Sequence, residues 1–189
     1  MGYLEAIVLG IIQGLTEFLP VSSSGHLVLF QKIMGIDGEP LFFDTMLHLG
    51  TLVAVVIVLW TEISALIKHP IKAGLGTIVL ATIPAAVVGF LLEDIIEKSF
   101  GGSFLAVGFL ITAVLLVLAE QVYERRRAKK SEVGYREALA MGGMQAVAVF
   151  PGISRSGSTL VGGLLTGLDR SLAAKFSFLM SIPMILGSV

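Results

Sequence analysis

Long apolar runs alternate along this 189-residue chain with short polar or charged segments. Three runs have the length and apolarity of a membrane-spanning helix, roughly 20 residues: Leu41–Trp60, Gly74–Leu92 and Phe100–Ala119. A fourth, Leu172–Val189, reaches the last residue. Two further apolar stretches are interrupted. Tyr3–Pro20 contains Gln13, Thr16 and Glu17 and runs into Pro20 and three serines, and Ala138–Phe150 stops at Pro151–Gly152. Short segments broken by Pro and Gly predict re-entrant helical hairpins, because non-helical backbone at membrane depth must be buried in protein or line an aqueous cavity. The pattern predicts an all-α, polytopic integral membrane protein.

The two interrupted segments match each other. "EAIVLGIIQGLTEFLPVSSSG" and "EALAMGGMQAVAVFPGISRSG" align without a gap at an offset of 132, pairing Glu5, Gly10, Gln13, Phe18, Ser22, Ser24 and Gly25 with Glu137, Gly142, Gln145, Phe150, Ser154, Ser156 and Gly157. Low-complexity apolar sequence does not readily match at Glu, Gln, Ser and Gly together. The chain is therefore read as one membrane domain, 1–189, with a first repeat at about 1–132 and a second, incomplete one at about 137–189. Three spans between the copies make the second enter from the opposite face, an inverted-topology repeat whose polar tips meet near the midplane. A second unit as long as the first needs more residues than remain, so the second repeat is expected to be truncated, without its last two spans.

Composition agrees. Hydrophobic residues make up 55% and charged residues 14%, against about 25% charged in soluble domains, and the mean hydropathy is +0.92. A net charge of −1 gives no basis for nucleic-acid binding, and the absence of cysteine excludes thiolate metal sites and disulfides. No basic stretch followed by a small-residue cleavage site marks a removable signal peptide. Six of the thirteen Lys and Arg lie in "RRRAKKSEVGYR", which predicts that loop to be cytoplasmic. Lys68 and Lys72 put the preceding basic loop on the same side, and the acidic "IDGEP" and "EDIIEK" loops fall outside.

Polar residues within so apolar a chain are the candidates for chemistry, since ionisable groups inside a membrane are costly and usually functional. Gln13 and Glu17, at i and i+4, share one helix face. A carboxylate beside an amide oxygen suits a hard cation such as Mg²⁺ bridging to a substrate phosphate. Ser22, Ser23, Ser24 and His26 follow. Ser23 and His26 make a nucleophile–base pair if the turn brings them within hydrogen-bond reach, while "SSSGH" equally describes a helix N-cap that binds phosphate. In the second tip, Arg155 offers a permanently charged fork for phosphate oxygens, and Ser154, Ser156, Ser158 and Thr159 surround it with hydroxyls. A cation site on one tip and an anion clamp on the other fit phosphoryl transfer, which depends on positioning and charge neutralisation. Asp44, His48 and Thr51 share a face of the first full span; whether they line the same cavity or sit as core residues is left open by the pattern.

"QGLTEFLPVSSSGH" and "PGISRSGST" resemble the two signature motifs of the BacA-type undecaprenyl pyrophosphate phosphatases, the bacitracin-resistance family: (E/Q)xxxE with a Ser-rich turn and His, and PGxSRSxxT. The resemblance covers essentially the whole chain, with Gln13 where many members have Glu. It implies an inverted-repeat helical fold with two re-entrant hairpins in the bacterial inner membrane and an active site reached from the outer, periplasmic face. It implies hydrolysis of undecaprenyl pyrophosphate to undecaprenyl phosphate and inorganic phosphate. The functional residues it implies are Glu17 with Gln13, Ser23, His26, Ser154, Arg155 and Thr159. The expected mechanism puts Glu17 with Gln13 on Mg²⁺ or Ca²⁺, Arg155 with Ser154 and Thr159 on the phosphoryl oxygens, and Ser23 as nucleophile with His26 as proton acceptor, or a water that His26 activates; Ser22, Ser24 and Ser156 are further candidate substrate contacts. Membrane lipids are the expected surroundings, and a homodimer is compatible. The reading from a different class is a transporter or flippase for lipid-linked phosphate, for which Glu17 and His26 have no evident use. A purely structural membrane subunit leaves the paired polar tips unexplained.

Overall fold

The computed structural model describes residues 2–36, 41–99, 104–125 and 129–187. The acidic positions 37–40 and the basic Arg126 and Arg127 lie outside the described residues. The described chain is helical: α1 (Tyr3–Thr16), α2 (Ser23–Ile33), α3 (Leu41–Val58), α4 (Trp60–Lys68), α5 (Leu75–Leu91), α6 (Glu93–Ser99), α7 (Leu105–Glu124), α8 (Tyr135–Val147), α9 (Arg155–Thr166) and α10 (Arg170–Gly187).

Among the described residues α7 is the one helix long and apolar enough on its own to cross a membrane. α3 and α4 pass the same test together but are bent by 77°. The predicted span Leu41–Trp60 thus stops at Leu59, whose backbone leaves the helical region, and the chain turns off into a segment carrying Trp60, Glu62 and Lys68, residues that favour the membrane–water boundary. Positions 100–103 of the span predicted from Phe100 lie outside the described residues, and α7 covers Leu105–Glu124. The predicted loop "EDIIEK" is helix α6, with Glu93 and Asp94 in its first turn and Lys98 in its last, charges that complement the helix dipole.

Helix packing runs in a closed circuit: α1 on α3, α3 on α10, α10 on α5, α5 on α8, α8 on α9, α9 on α7, α7 on α2 and α2 back on α1, with α9 and α10 touching across it. The core lies where α3, α5, α8 and α10 meet, around Val55, Ala81, Met141, Phe176 and Met180. Close approach there depends on Gly142, where a Cβ would lie 2.3 Å from the Ala81 carbonyl oxygen. The outward faces are apolar: Leu4, Ile7, Ile11 and Leu15 on α1 and Val79, Ile83 and Val87 on α5 are all exposed. Continuous exposed apolar faces of this kind suit hydrocarbon surroundings and would be a liability in water.

Charges collect at the loop ends. Lys175 pairs with Glu62 at 2.6 Å, Arg170 with Glu120 at 2.5 Å and Lys130 with Glu137 at 2.5 Å. Pro70–Thr77 and Val133–Tyr135 line one groove, so the two basic loops lie at the same end of the molecule.

Local structure repeats at the offset of 132. α1 and α8 start at Tyr3 and Tyr135, each after a glycine whose N–H donates to the glutamate three residues on: Gly2 to Glu5 at 2.5 Å, and Gly134 to Glu137 at 3.2 Å. α2 and α9 start at Ser23 and Arg155, each capped by a serine hydroxyl: Ser22 accepts from Gly25 N–H at 3.3 Å, and Ser154 from Gly157 N–H at 3.1 Å. Such caps satisfy N–H groups that a helix start leaves free.

Candidate active site

The α1–α2 and α8–α9 turns meet inside the circuit. Three glycines make that possible. A Cβ on Gly25 would fall 2.8 Å from the Phe109 ring, and one on Gly108 would fall 2.7 Å from the Gly152 carbonyl carbon. Gly152 itself has φ +87° and lies against the Leu105 carbonyl, a conformation and a clearance that residues with a Cβ rarely accept. α2, α7 and the second turn are thereby packed backbone to backbone. The Thr112 hydroxyl of α7 locks the arrangement, donating to the Gly108 carbonyl at 3.0 Å and accepting from Ser154 N–H at 3.0 Å.

Glu17 sits at the meeting point and is 5% exposed. One carboxylate oxygen is ion-paired with the Arg155 guanidinium from the other turn. The other accepts from Ser23 Oγ at 2.5 Å and Gln13 Nε2 at 3.0 Å. His48 Nε2 of α3 lies 3.7 Å from the same oxygen, and Gln13 Nε2 also reaches Thr51 Oγ1 at 3.5 Å. A buried carboxylate is tolerable when its charge is paired and its lone pairs are filled, and Glu17 meets both conditions. Ser156 adds a second tie between the turns by donating to the Leu19 carbonyl at 3.1 Å. Glu17, Ser23, Ser154, Arg155 and Ser156 line one small cleft.

Gln13, Glu17, Ser23, Arg155 and Ser156 are therefore in one constellation, with Ser22 and Ser154 as the caps beneath it. Other expected partners are placed differently. Ser23 donates to Glu17, whereas His26 Nδ1 bonds the Ser22 carbonyl at 2.8 Å and its ring lies tilted against Phe109, centroids 5.2 Å apart. A carbonyl only accepts, so Nδ1 carries the proton and neutral His26 has its lone pair on Nε2. Thr159 is fully buried and shares a 2.5 Å hydrogen bond with Ser177 of α10, which ties it to the core side of α9. Ser24 is partly buried in the first turn of α2.

His48 and Thr51 join the site, and Asp44 accepts from Gln31 at 2.8 Å one turn away. Thr112 and Ser177 were not singled out by the sequence pattern. The available signal was a hydroxyl inside an otherwise apolar helix, too common in itself to single out either residue.

A metal at this site has few protein ligands to choose from. Among the described residues no group of three or more His, Asp, Glu or Cys could hold an ion, and both Glu17 oxygens are engaged by hydrogen-bond donors. Gln13 Oε1, however, is buried without a hydrogen-bond partner. One carboxylate and one amide oxygen fit a hard cation that keeps waters and is shared with a substrate phosphate.

The family model described as bacitracin resistance protein BacA matches residues 6–189. An undecaprenyl-diphosphatase of Carboxydothermus hydrogenoformans is 47% identical across the whole of this chain and 72% of its own length. Undecaprenyl-diphosphatase 4 of Bacillus thuringiensis (strain Al Hakam) is 46% identical, and an undecaprenyl-diphosphatase of Halothermothrix orenii 45%, each across the whole chain and 73% of the relative. With the model matched over nearly every residue and identity sustained end to end, the chain belongs to the bacitracin resistance protein BacA family.

Proposed function

We propose that this membrane protein hydrolyses undecaprenyl pyrophosphate to undecaprenyl phosphate and inorganic phosphate, with the two turns as its active site. The observation that carries the reading is the Glu17–Ser23–Arg155 cluster: a buried acid bonded to both a hydroxyl and a phosphate-binding cation where two helix N-termini converge. Helix N-termini attract phosphate through free N–H groups and the dipole, so α2 and α9 together suit an anion with two phosphoryl groups.

Glu17 holds the groups that a phosphate would use. Its oxygens take the Arg155 guanidinium and the Ser23 hydroxyl that the substrate needs, so the incoming phosphoryl group replaces the carboxylate on Arg155. Arg155 then spreads the charge that develops on the transferring group. Ser23 Oγ forms a bond to the terminal phosphorus as the bond to the bridging oxygen breaks, and undecaprenyl phosphate leaves with that oxygen. The Ser23 proton passes to His26 Nε2. Water then releases phosphate from Ser23.

The 2.5 Å bond from Ser23 to Glu17 favours a second reading of the proton's destination, with Glu17 as acceptor. His26→Gln and Glu17→Gln separate the two, because the true acceptor's variant loses the burst of chemistry in a single turnover. Where Mg²⁺ or Ca²⁺ takes part, Glu17 and the Gln13 amide oxygen would hold it, and it would neutralise charge on the phosphate oxygens.

The two turns, read as halves of an inverted repeat, would place the site near mid-membrane and open it to the outer face of the inner membrane, with the basic loops cytoplasmic. Phosphate release from undecaprenyl pyrophosphate in detergent, with and without EDTA, tests the reaction and its metal dependence. Near-normal release by Ser23→Ala would remove the serine as nucleophile and leave direct attack by water. Binding without release would favour the carrier reading of the same site.

A further inference from the structure

Four buried side-chain atoms lack a hydrogen-bond partner among the described residues: Gln13 Oε1, both amide atoms of Gln145, and Ser158 Oγ. Gln145 and Ser158 are each 1% exposed. They stand at the positions of Gln13 and His26 in the other copy. Gln13 donates to Glu17 and Thr51, and the position of the second copy that corresponds to Glu17 is Val149. Gln145 has neither acceptor and is still an amide.

Gln145 and Ser158 also lie at one level. α8 and α9 form an antiparallel hairpin in which a Cβ on Gly162 would fall 2.9 Å from Met141 Cα. One turn from that contact towards the tip brings residue 145 on α8 opposite residue 158 on α9. They do not bond each other. A buried amide without partners is strongly disfavoured, whereas a buried water commonly takes two to four polar partners. The amide oxygen, the amide N–H and the Ser158 hydroxyl provide three.

We propose that an ordered water bridges Gln145 and Ser158 between α8 and α9, a polar site that holds the first turn of α9 and so positions Arg155, three residues before Ser158. Gln145 and Ser158 are positioning residues under this reading, acting through the guanidinium and not on substrate.

A density map of the whole chain that resolves solvent tests the water directly. A water within hydrogen-bond distance of both side chains is expected, and a dry contact overturns the proposal. Gln145→Met, Ser158→Ala and the double variant test the coupling. Each single change should lower the unfolding temperature and lower kcat and kcat/KM for phosphate release together, about tenfold, and the double should lose no more than the worse single. Additive losses overturn the proposal, as does a higher unfolding temperature for Gln145→Met, the result that removing a dry, unpartnered amide would give. Should Gln145→Met fail to fold, Ser158→Ala decides: unchanged unfolding temperature and kcat overturn it.

Discussion

The α1–α2 and α8–α9 hairpins start from the same caps at a fixed offset, yet one presents an acid and a hydroxyl and the other a guanidinium. Glu17 stands against Val149, Ser23 against Arg155 and His26 against Ser158. The packing partners have diverged in step. α3 meets the first hairpin with Asp44, His48 and Thr51, whereas α10 meets the second with Ser177 beside the apolar Phe176 and Met180. A shared backbone frame thus delivers complementary groups to one point: two helix starts supply the same field, and the side chains at equivalent positions divide the chemistry. The hairpins also carry their backbone strain at different places. In the first, Ser22 caps α2 with φ +66°; in the second, the cap Ser154 is unstrained and the left-handed residue is Gly152. Covering differs as well, since α5 packs over α8 while the apolar stripe of α1 stays exposed among the described residues.

Removing the element unique to the second hairpin should do the most damage. Arg155→Ala is expected to lower phosphate release on the order of 10³-fold, read in single turnovers, and Arg155→Lys should recover only part because a point charge does not replace a planar fork. Its counterpart in the first hairpin makes a sharper test. Glu17→Gln should lower turnover roughly 10²-fold, yet in EDTA it should bind inorganic phosphate about tenfold more tightly, since the competing carboxylate is gone. Weaker phosphate binding by this variant would instead make Glu17 a direct contributor to the anion site through a metal.

Two smaller effects probe the strain. Gly152→Ala should cost about 3 kcal/mol through its positive φ and the Leu105 carbonyl, against about 1 kcal/mol or less for Pro20→Ala at the equivalent position of the first turn; thermal unfolding compares them. Ser22→Gly should be the mildest. Relief of the strained φ, about 1 kcal/mol, outweighs a cap loss of a few tenths, so the unfolding temperature should rise slightly. A fall would mean that the Ser22 hydroxyl matters more to α2 than its backbone conformation costs.

The long apolar runs, the two odd segments and most of the polar residues of the site were legible in the chain, because apolar run length, Pro–Gly interruptions and polar groups in apolar surroundings are local signals. Boundaries were less so. The break at Leu59 and the helix at Glu93–Ser99 depend on where the chain meets its surroundings, which run length alone does not encode. Pairings inside the site were least legible. Ser23 and His26, three residues apart, bond different groups, whereas Glu17 and Arg155, distant in sequence, form the central ion pair. Thr159 shows the same limit: its motif position suggests a phosphate contact, and its rotation on α9 turns it to Ser177.

The sequence by itself determined an apolar helical chain with two matching polar turns, one acidic and one basic, since composition and a fixed offset need no third dimension. Only the tertiary structure decided which polar groups touch. Gly25, Gly108 and Gly152 let three backbones approach without a Cβ between them. That approach buries Glu17 against Arg155, because an isolated charge in so apolar an interior is stable only beside its opposite.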